Sequence, residues 1–509
     1  MRICATRFTI AILLLLATFV SAQDIASFEK KITVKKLDNG LTVVIFRRTE
    51  APVFSFFTHV DAGSVQDPLN KTGLAHMFEH MAFKGTDKIG TANYAKEKVA
   101  LEKVEVAYKA YNAEVHKRVG RDNTKLQQLR KTWEDAIQDA QQYVVPNQFG
   151  EIVEKNGGEG MNAFTSDDET GYHYSMPANR LELWAYLESE RFLHPVMREF
   201  YKERNVVMEE RRMSVDSNPV GRLLEQFTAE AFAAHEYHRP TIGWMPDLNT
   251  FSATDAQHFF NTYYVPSNMV VTVVGDIDPG TAMPIIEKYF GRLPSTPHPE
   301  DLSTPEPPQN SQRNVALRDP SQPVFLEGYH RPDYLDPDDA VYDAIADVMS
   351  NGRTSRLYRS LVRDKKIASF AGGFSGLPGN KYPHLFAFFG FPLPGHTPSE
   401  IETAIHAEIE RLKTQDISDE ELNMIKTRAK ASLLRGLADN QGLALQLGTI
   451  VARYGDWRQL FGEVERIEKV SKADIRRVAN KTFIENNRTV GIIETARPAG
   501  AAASQGGAQ

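Results

Sequence analysis

Two stretches of this chain align with each other without a gap, and no other feature constrains its fold as tightly. They are DAQHFFNTYYVPSNMVVTVVG (Asp255 to Gly275) and DIRRVANKTFIENNRTVGIIE (Asp474 to Glu494). Asp255 matches Asp474, Phe259 matches Val478, Tyr264 matches Phe483 and Asn268 matches Asn487. Each copy reads as a helix, a turn and a short β-rich strand. One such unit repeated at domain-sized spacing points to a duplicated domain. The length agrees, because 509 residues exceed the ~250–300 that a single core organises. Between the copies, LPSTPHPEDLSTPEPPQNSQ (Leu293 to Gln312) has the Pro, Ser and acid content of an extended, solvated linker. The expected fold is therefore α+β, with two homologous α/β-sandwich domains at 29–294 and 313–497 joined by a linker at 295–312. The tail 498–509, rich in Gly, Ala and Ser, is expected to be disordered.

One segment breaks the symmetry. From Tyr94 to about Tyr143 the chain carries helix formers, with Val99, Val104, Tyr108, Tyr111 and Val115 at heptad-like spacing, then Leu126, Leu129, Trp133 and Ile137. GRDN (Gly120 to Asn123) interrupts the two runs. This predicts an antiparallel helical hairpin inserted in the first domain at about 92–148, either a packing ornament or a docking arm.

At the N-terminus, Arg2 and Arg7 precede the apolar run Phe8 to Val20, and Val20-Ser21-Ala22 places small residues before Gln23. This is the pattern of a signal peptide over 1–22 and predicts export to the periplasm or beyond. The run falls short of the ~20 residues a comfortable membrane anchor needs, and no later segment is apolar enough to span a bilayer. Cys4, the single cysteine, lies inside this segment, so the mature chain would have no disulfide and no thiolate metal site. Any catalytic metal must then be held by His, Asp or Glu. The formal charge of −7 and the lack of a basic run argue against nucleic acid as a partner.

His76 and His80 stand four apart, with Glu79 directly before the second, in HMFEHMAFKGT (His76 to Thr86). On a helix, positions i and i+4 share a face, so both imidazoles can meet one ion. The rest of this helix is apolar (Leu74, Met77, Phe78, Met81), and a buried glutamate between histidines is costly unless compensated. A metal supplies the compensation. A catalytic zinc needs three protein ligands and an open position. For the third, YKERNVVMEERRM (Tyr201 to Met213) reads as a helix with Glu203, Val206, Val207 and Glu210 on one inward stripe. Glu210 is the candidate ligand, Glu209 points to solvent, and Glu203 is either an acid orienting a histidine or a surface residue. His235 and His238 read as loop or packing residues, and His173 is undecided.

His76-x-x-Glu79-His80 is the inverted zinc motif. With MAFKGT, GGEGMNAFTSDDETGYHY (Gly157 to Tyr174) and ERNVVMEE (Glu203 to Glu210) following in that order, the chain resembles the pitrilysin, insulin-degrading enzyme and mitochondrial processing peptidase family over nearly its whole mature length. The resemblance implies a duplicated metallopeptidase fold and one Zn2+ per chain on His76, His80 and Glu210. It also implies peptide-bond hydrolysis by zinc-activated water, with Glu79 as general base. The substrate would be small or unfolded polypeptide, paired with an edge strand at Asn162, Ala163 and Phe164.

Two departures from the family pattern matter. The segment YDAIADVMSNGRTSRL (Tyr342 to Leu357) occupies the place of the metal helix in the second domain and has neither histidine. Family members also close two halves around a substrate, and this chain supplies one half, so a dimer is expected. Arg356 is a candidate substrate contact, but Ser369 stands where the family places a tyrosine. This favours a heterodimer with a second family subunit over a homodimer. The competing reading is a non-catalytic clamp or assembly subunit.

Overall fold

The structure, a computed structural model, describes residues 25–496. The expected signal peptide and tail lie outside the described residues. Strands β1 (Ile32–Lys36), β2 (Thr42–Arg47), β3 (Val53–Val60), β4 (Glu159–Thr165), β5 (Thr170–Pro177) and β6 (Met269–Gly275) form one sheet in the order β1-β2-β6-β3-β5-β4. Strands β7 (Arg313–Asp319), β8 (Val324–Arg331), β9 (Ala368–Leu377), β10 (His384–Pro392) and β11 (Arg488–Thr495) form a second, in the order β7-β11-β8-β10-β9. Apart from β1 the two orders coincide. β2 runs parallel to β6 as β7 does to β11, and the remaining pairs are antiparallel. The fold is the duplicated α+β arrangement expected from the repeat.

The matched residues of the repeat do the same physical work in both copies. Ser252 and Asp255 form a reciprocal cap on helix Ala253–Tyr263, and Ser471 and Asp474 do so on helix Lys472–Thr482. After each helix an asparagine ties the turn to the chain around it. Asn268 Nδ2 donates to Tyr263 O and Asp61 O, and Asn487 Nδ2 donates to Thr482 O and His330 O. The strand that follows is central in its sheet, and β6 is buried over its full length, because helices cover both faces.

Each domain lends the other a helix. Helix Pro219–Ala231, from the first half of the chain, seats Leu223, Phe227 and Ala231 on Val324, Leu326, Leu385 and Ile493 of the second sheet. Helix Asn440–Tyr454, from the second half, seats Leu443, Leu447 and Val451 on Val44, Phe57, Val270 and Val274 of the first. Gly448 lets this helix lie directly on the Phe57 ring, where a Cβ would collide. The segment before β7 has neither helix nor strand, yet it is tethered. The Glu306 carboxylate accepts the N–H groups of Ala233, Ala234 and His235, and Gln309 donates to Arg488 O.

The inserted hairpin consists of helices Tyr94–Val115 and Asn123–Gln141. Val104 and Tyr108 are buried, and Tyr111, Trp133 and Ile137 pack against the same core. Val99 is 52% exposed, and its expected inward place is taken by Glu97 and Ala100. Glu97 is buried because Arg198 meets both its oxygens, at 2.8 and 3.0 Å. Arg198 also donates to the carbonyls of Lys84, Thr86 and Ile89, so it ties the hairpin root to the KGT loop.

Candidate metal centre

Helix Leu74–Met81 packs Leu74, Ala75, Met77, Phe78 and Met81 into the core, which turns His76, Glu79 and His80 to the opposite face. Its start is held by buried Asp67, whose oxygens accept the N–H groups of Gly73 (2.6 Å) and Ala75 (2.8 Å). A carboxylate there satisfies donors that a helix start leaves unpaired. Helix Phe200–Arg211 lies across this face and brings up Glu203 and Glu210.

One ligand atom from each of His76, His80 and Glu210 lies within 4.8 Å of the other two. His76 Nε2 is 3.8 Å from Glu210 Oε1, and His80 Nε2 is 3.6 Å from Glu210 Oε2. These separations are too long for direct hydrogen bonds. They fit a shared cation, because tetrahedral zinc with bonds of ~2.0–2.1 Å places its ligands about 3.4 Å apart. The imidazoles sit edge to face at 83°, so their two lone pairs converge from different directions. Two imidazole nitrogens and one carboxylate are also a zinc donor set, and the residues present fit that ion.

Around this set the carboxylates divide by role. Glu203 Oε2 lies 3.6 Å from His80 Nδ1, and Lys84 holds the other Glu203 oxygen at 2.5 Å. Thr165, at the end of β4, donates its hydroxyl to Glu79 Oε2 at 2.6 Å. Among the side chains themselves, burial and the neighbouring His80 bring His76 down to about 4, the neutral form a metal requires. Burial also works against the charge on His80 and on Glu203, but their mutual contact, with Glu210 and Lys84, prevails. It lifts His80 to about 9 and holds Glu203 at about 2. Contact with His80 lowers Glu210. Burial raises Glu79, opposed by the Thr165 hydroxyl.

The expected stripe on helix Phe200–Arg211 is corrected. Val206 is 46% exposed, and the buried face runs through Phe200, Tyr201, Arg204, Val207 and Arg211. The two arginines tolerate burial because they are paired. Arg204 donates to Tyr108 Oη and Phe251 O, and Arg211 donates to both oxygens of Glu225 and to Gly243 O. Glu203 and Glu210 therefore stand at the edge of the packed face, where they border the site. Arg356 is also corrected. It is 6% exposed and forms a two-pronged pair with Glu421 through Nε and Nη2 at 2.8 and 2.9 Å, so in this chain it sits inside the second domain rather than on a surface open to a peptide.

Asn162, Ala163 and Phe164 lie on β4, the last strand of the first sheet, paired with His173, Tyr172 and Gly171 of β5 and, among the described residues, with no strand on the other side. His173 receives the Gln441 amide on Nδ1, and His235 and His238 serve a local turn. Sequence reasoning missed Thr165, Lys84 and Asp67. The first two sit inside the NAFTS and MAFKGT blocks, but their partners are far away in the chain.

In the second domain the buried positions Val341, Tyr342, Ala344, Ile345, Val348 and Met349 repeat those at Leu74, Ala75, Met77, Phe78, Met81 and Ala82. In that register Asp343, Ala346 and Asp347 stand for His76, Glu79 and His80. Asp347 pairs with Arg428, seven residues after Glu421, as Glu210 follows Glu203.

A helix bearing HxxEH, a facing glutamate and a duplicated sheet define a metallopeptidase architecture. The sequence matches the family model "Insulinase (Peptidase family M16)" at residues 43–131 and 136–244, and "Peptidase M16 inactive domain" at 250–429. The chain belongs to peptidase family M16. It is 26% identical over 485 residues to "Zinc protease PqqE" of Helicobacter pylori, covering 93% of this chain and 95% of that protein. It is 22% identical to "Probable mitochondrial-processing peptidase subunit beta, mitochondrial" of Arabidopsis thaliana, covering 90% of this chain and 78% of that one. Among solved structures, a protease from Helicobacter pylori superimposes with a TM-score of 0.74 at 25% identity, over 91% of this chain and 99% of that chain. The periplasmic protease PqqL from Escherichia coli gives a TM-score of 0.67 at 19% identity, over 92% of this chain and 48% of that chain.

Proposed function

We propose that this chain is an exported zinc metalloendopeptidase that hydrolyses peptide bonds in small or unfolded polypeptides, with one Zn2+ per chain. The observation that carries the reading is the convergence of His76, His80 and Glu210 beside Glu79, next to an unpaired strand edge. Zinc, when bound, supplies Lewis acidity, polarising the scissile carbonyl and lowering the pKa of water towards ~7. His76, His80 and Glu210 would hold it. Glu203 fixes the His80 ring from its Nδ1 side, and Lys84 fixes Glu203. Glu79 takes a proton from the attacking water and passes it to the leaving amine. Burial supports this role by raising the carboxylate's affinity for a proton. An extended peptide adds to the free edge of β4 beside Asn162, Ala163 and Phe164. Main-chain hydrogen bonds there hold many sequences alike.

Family kinship to a periplasmic protease and the reading of residues 1–22 support export. PqqL spans about twice the length of this chain, and a mitochondrial relative is named as a subunit. Both support a second family subunit as partner, in a heterodimer or a homodimer. The test is Glu79→Gln in the zinc-loaded protein, with and without a co-encoded family subunit. Retained zinc and lost cleavage of an unfolded polypeptide support the peptidase. A wild-type protein that cleaves nothing in either setting supports the clamp instead.

A further inference from the structure

Among the described residues the second domain brings together no His, Asp and Glu group that could hold zinc, yet it grips the β4–β5 turn that follows Thr165, the partner of Glu79. The geometry points to Asp168, at the β4–β5 turn, as a positioning residue through which the 376–382 loop of the second domain fixes Thr165, and so the Glu79 carboxylate. This inference rests on the proposed peptidase reading.

The contacts form one continuous chain. Buried Asp168 accepts the Tyr237 hydroxyl on Oδ1 at 2.5 Å and the N–H groups of Asn380 and Lys381 on Oδ2 at 2.7 and 3.0 Å. Three donors on one carboxylate fix its position and that of the turn bearing it. The loop approaches so closely because residue 379 is glycine, and a Cβ there would collide with the Asp168 carboxylate and the Tyr237 hydroxyl. Lys381 adds a second tie, with Nζ at 2.7 and 2.8 Å from the Asp61 oxygens just beyond β3. From the segment after β3, the N–H groups of Ser64 and Val65 donate to the carbonyls of Ser166 and Asp167, and within the turn Ser166 N donates to Glu169 O. Thr165 precedes this braced turn, and its hydroxyl holds Glu79 Oε2. A peptide pairing with β4 would load the same strand, so the clamp keeps strand and base in register with each other.

Two variants loosen the clamp without touching the zinc site: Asp168→Asn removes the charge that collects the donors, and Gly379→Ala forces the loop away. In the full-length, zinc-loaded protein both should keep zinc content while kcat on a quenched peptide falls about tenfold or more, with KM little changed, as small misplacements of a catalytic group do. Adding Asp168→Asn to Thr165→Val should cost nothing further, because both break one relay. Amide exchange across 162–170 should rise in both variants, a readout that needs no turnover. Unchanged kcat per bound zinc, full additivity with Thr165→Val, or unchanged exchange would each overturn the clamp. If the wild type itself cleaves nothing, the peptidase reading falls, and the exchange measurement alone decides whether the clamp holds the hairpin.

Discussion

Arg428 Nη1 lies 2.9 Å from Asp347 Oδ1, in the second domain, at the place where Glu210 and His80 face each other in the first. The same contact between two helices is closed by a short ion pair in one domain and stands wider, at 3.6 Å, in the other. Asp343 and Asp347 supply no imidazole, and Ala346 leaves the place of Glu79 without a carboxylate.

Zinc should therefore bind once per chain, as elemental analysis will show. Glu210→Gln should weaken binding by about a hundredfold or more, because it removes a charged ligand. Arg428→Met should leave the stoichiometry at one. Two zinc ions per wild-type chain would contradict the register between the domains.

Glu203→Gln tests the support of His80. The carboxylate faces His80 Nδ1 and is itself held by Lys84. Losing it should lower zinc affinity or turnover by about 10- to 100-fold. Competition with a chelator and steady-state kinetics separate the two effects.

The exchanged helices make the domains one folding unit. Phe227→Ala empties a pocket on the second sheet, and Leu447→Ala empties one on the first. Each should cost about 3 kcal/mol or more. Denaturant unfolding followed by probes in either domain should show one coincident transition for the wild type and both variants. Residues 25–294 expressed alone should be insoluble, because the apolar side of Pro219–Ala231 loses its sheet.

Buried His384 should contribute to the acid arm of the stability profile. Burial, reinforced by Arg331, brings it down to about 3, against ~6.5 in the unfolded chain. Between these values the unfolded state binds a proton that the native state refuses. Its contribution is therefore constant above pH 6.5 and falls as pH drops towards 3, by roughly 1.4 kcal/mol per pH unit at most. His384→Gln should flatten this arm in thermal melts between pH 7 and 4.

The sequence revealed the parts of this molecule that depend on local pattern. Asp255 and Asp474 cap helices through neighbours three residues away, and Asn268 and Asn487 close turns just after them, so each motif carries its own geometry. His76, Glu79 and His80 were legible for the same reason. On helix Phe200–Arg211 the expected stripe holds at Glu203, Val207 and Glu210 but not at Val206, because Arg204 and Arg211, with partners in Tyr108 and Glu225, take the buried face. The Thr165–Glu79 bond and the helix exchange join residues far apart in the chain, and periodicity does not say which sheet a helix will cover. Arg356 is buried in a pair with Glu421, on a later helix, a partner its own stretch of sequence does not reveal.

Anomalous diffraction at the zinc edge on crystals of the loaded protein tests the centre of this account most directly. The account predicts a single peak bonded to His76 Nε2, His80 Nε2 and a Glu210 oxygen at ~2.0–2.2 Å, with no fourth protein ligand. A peak held by other residues, or one closed by four side chains, would contradict it.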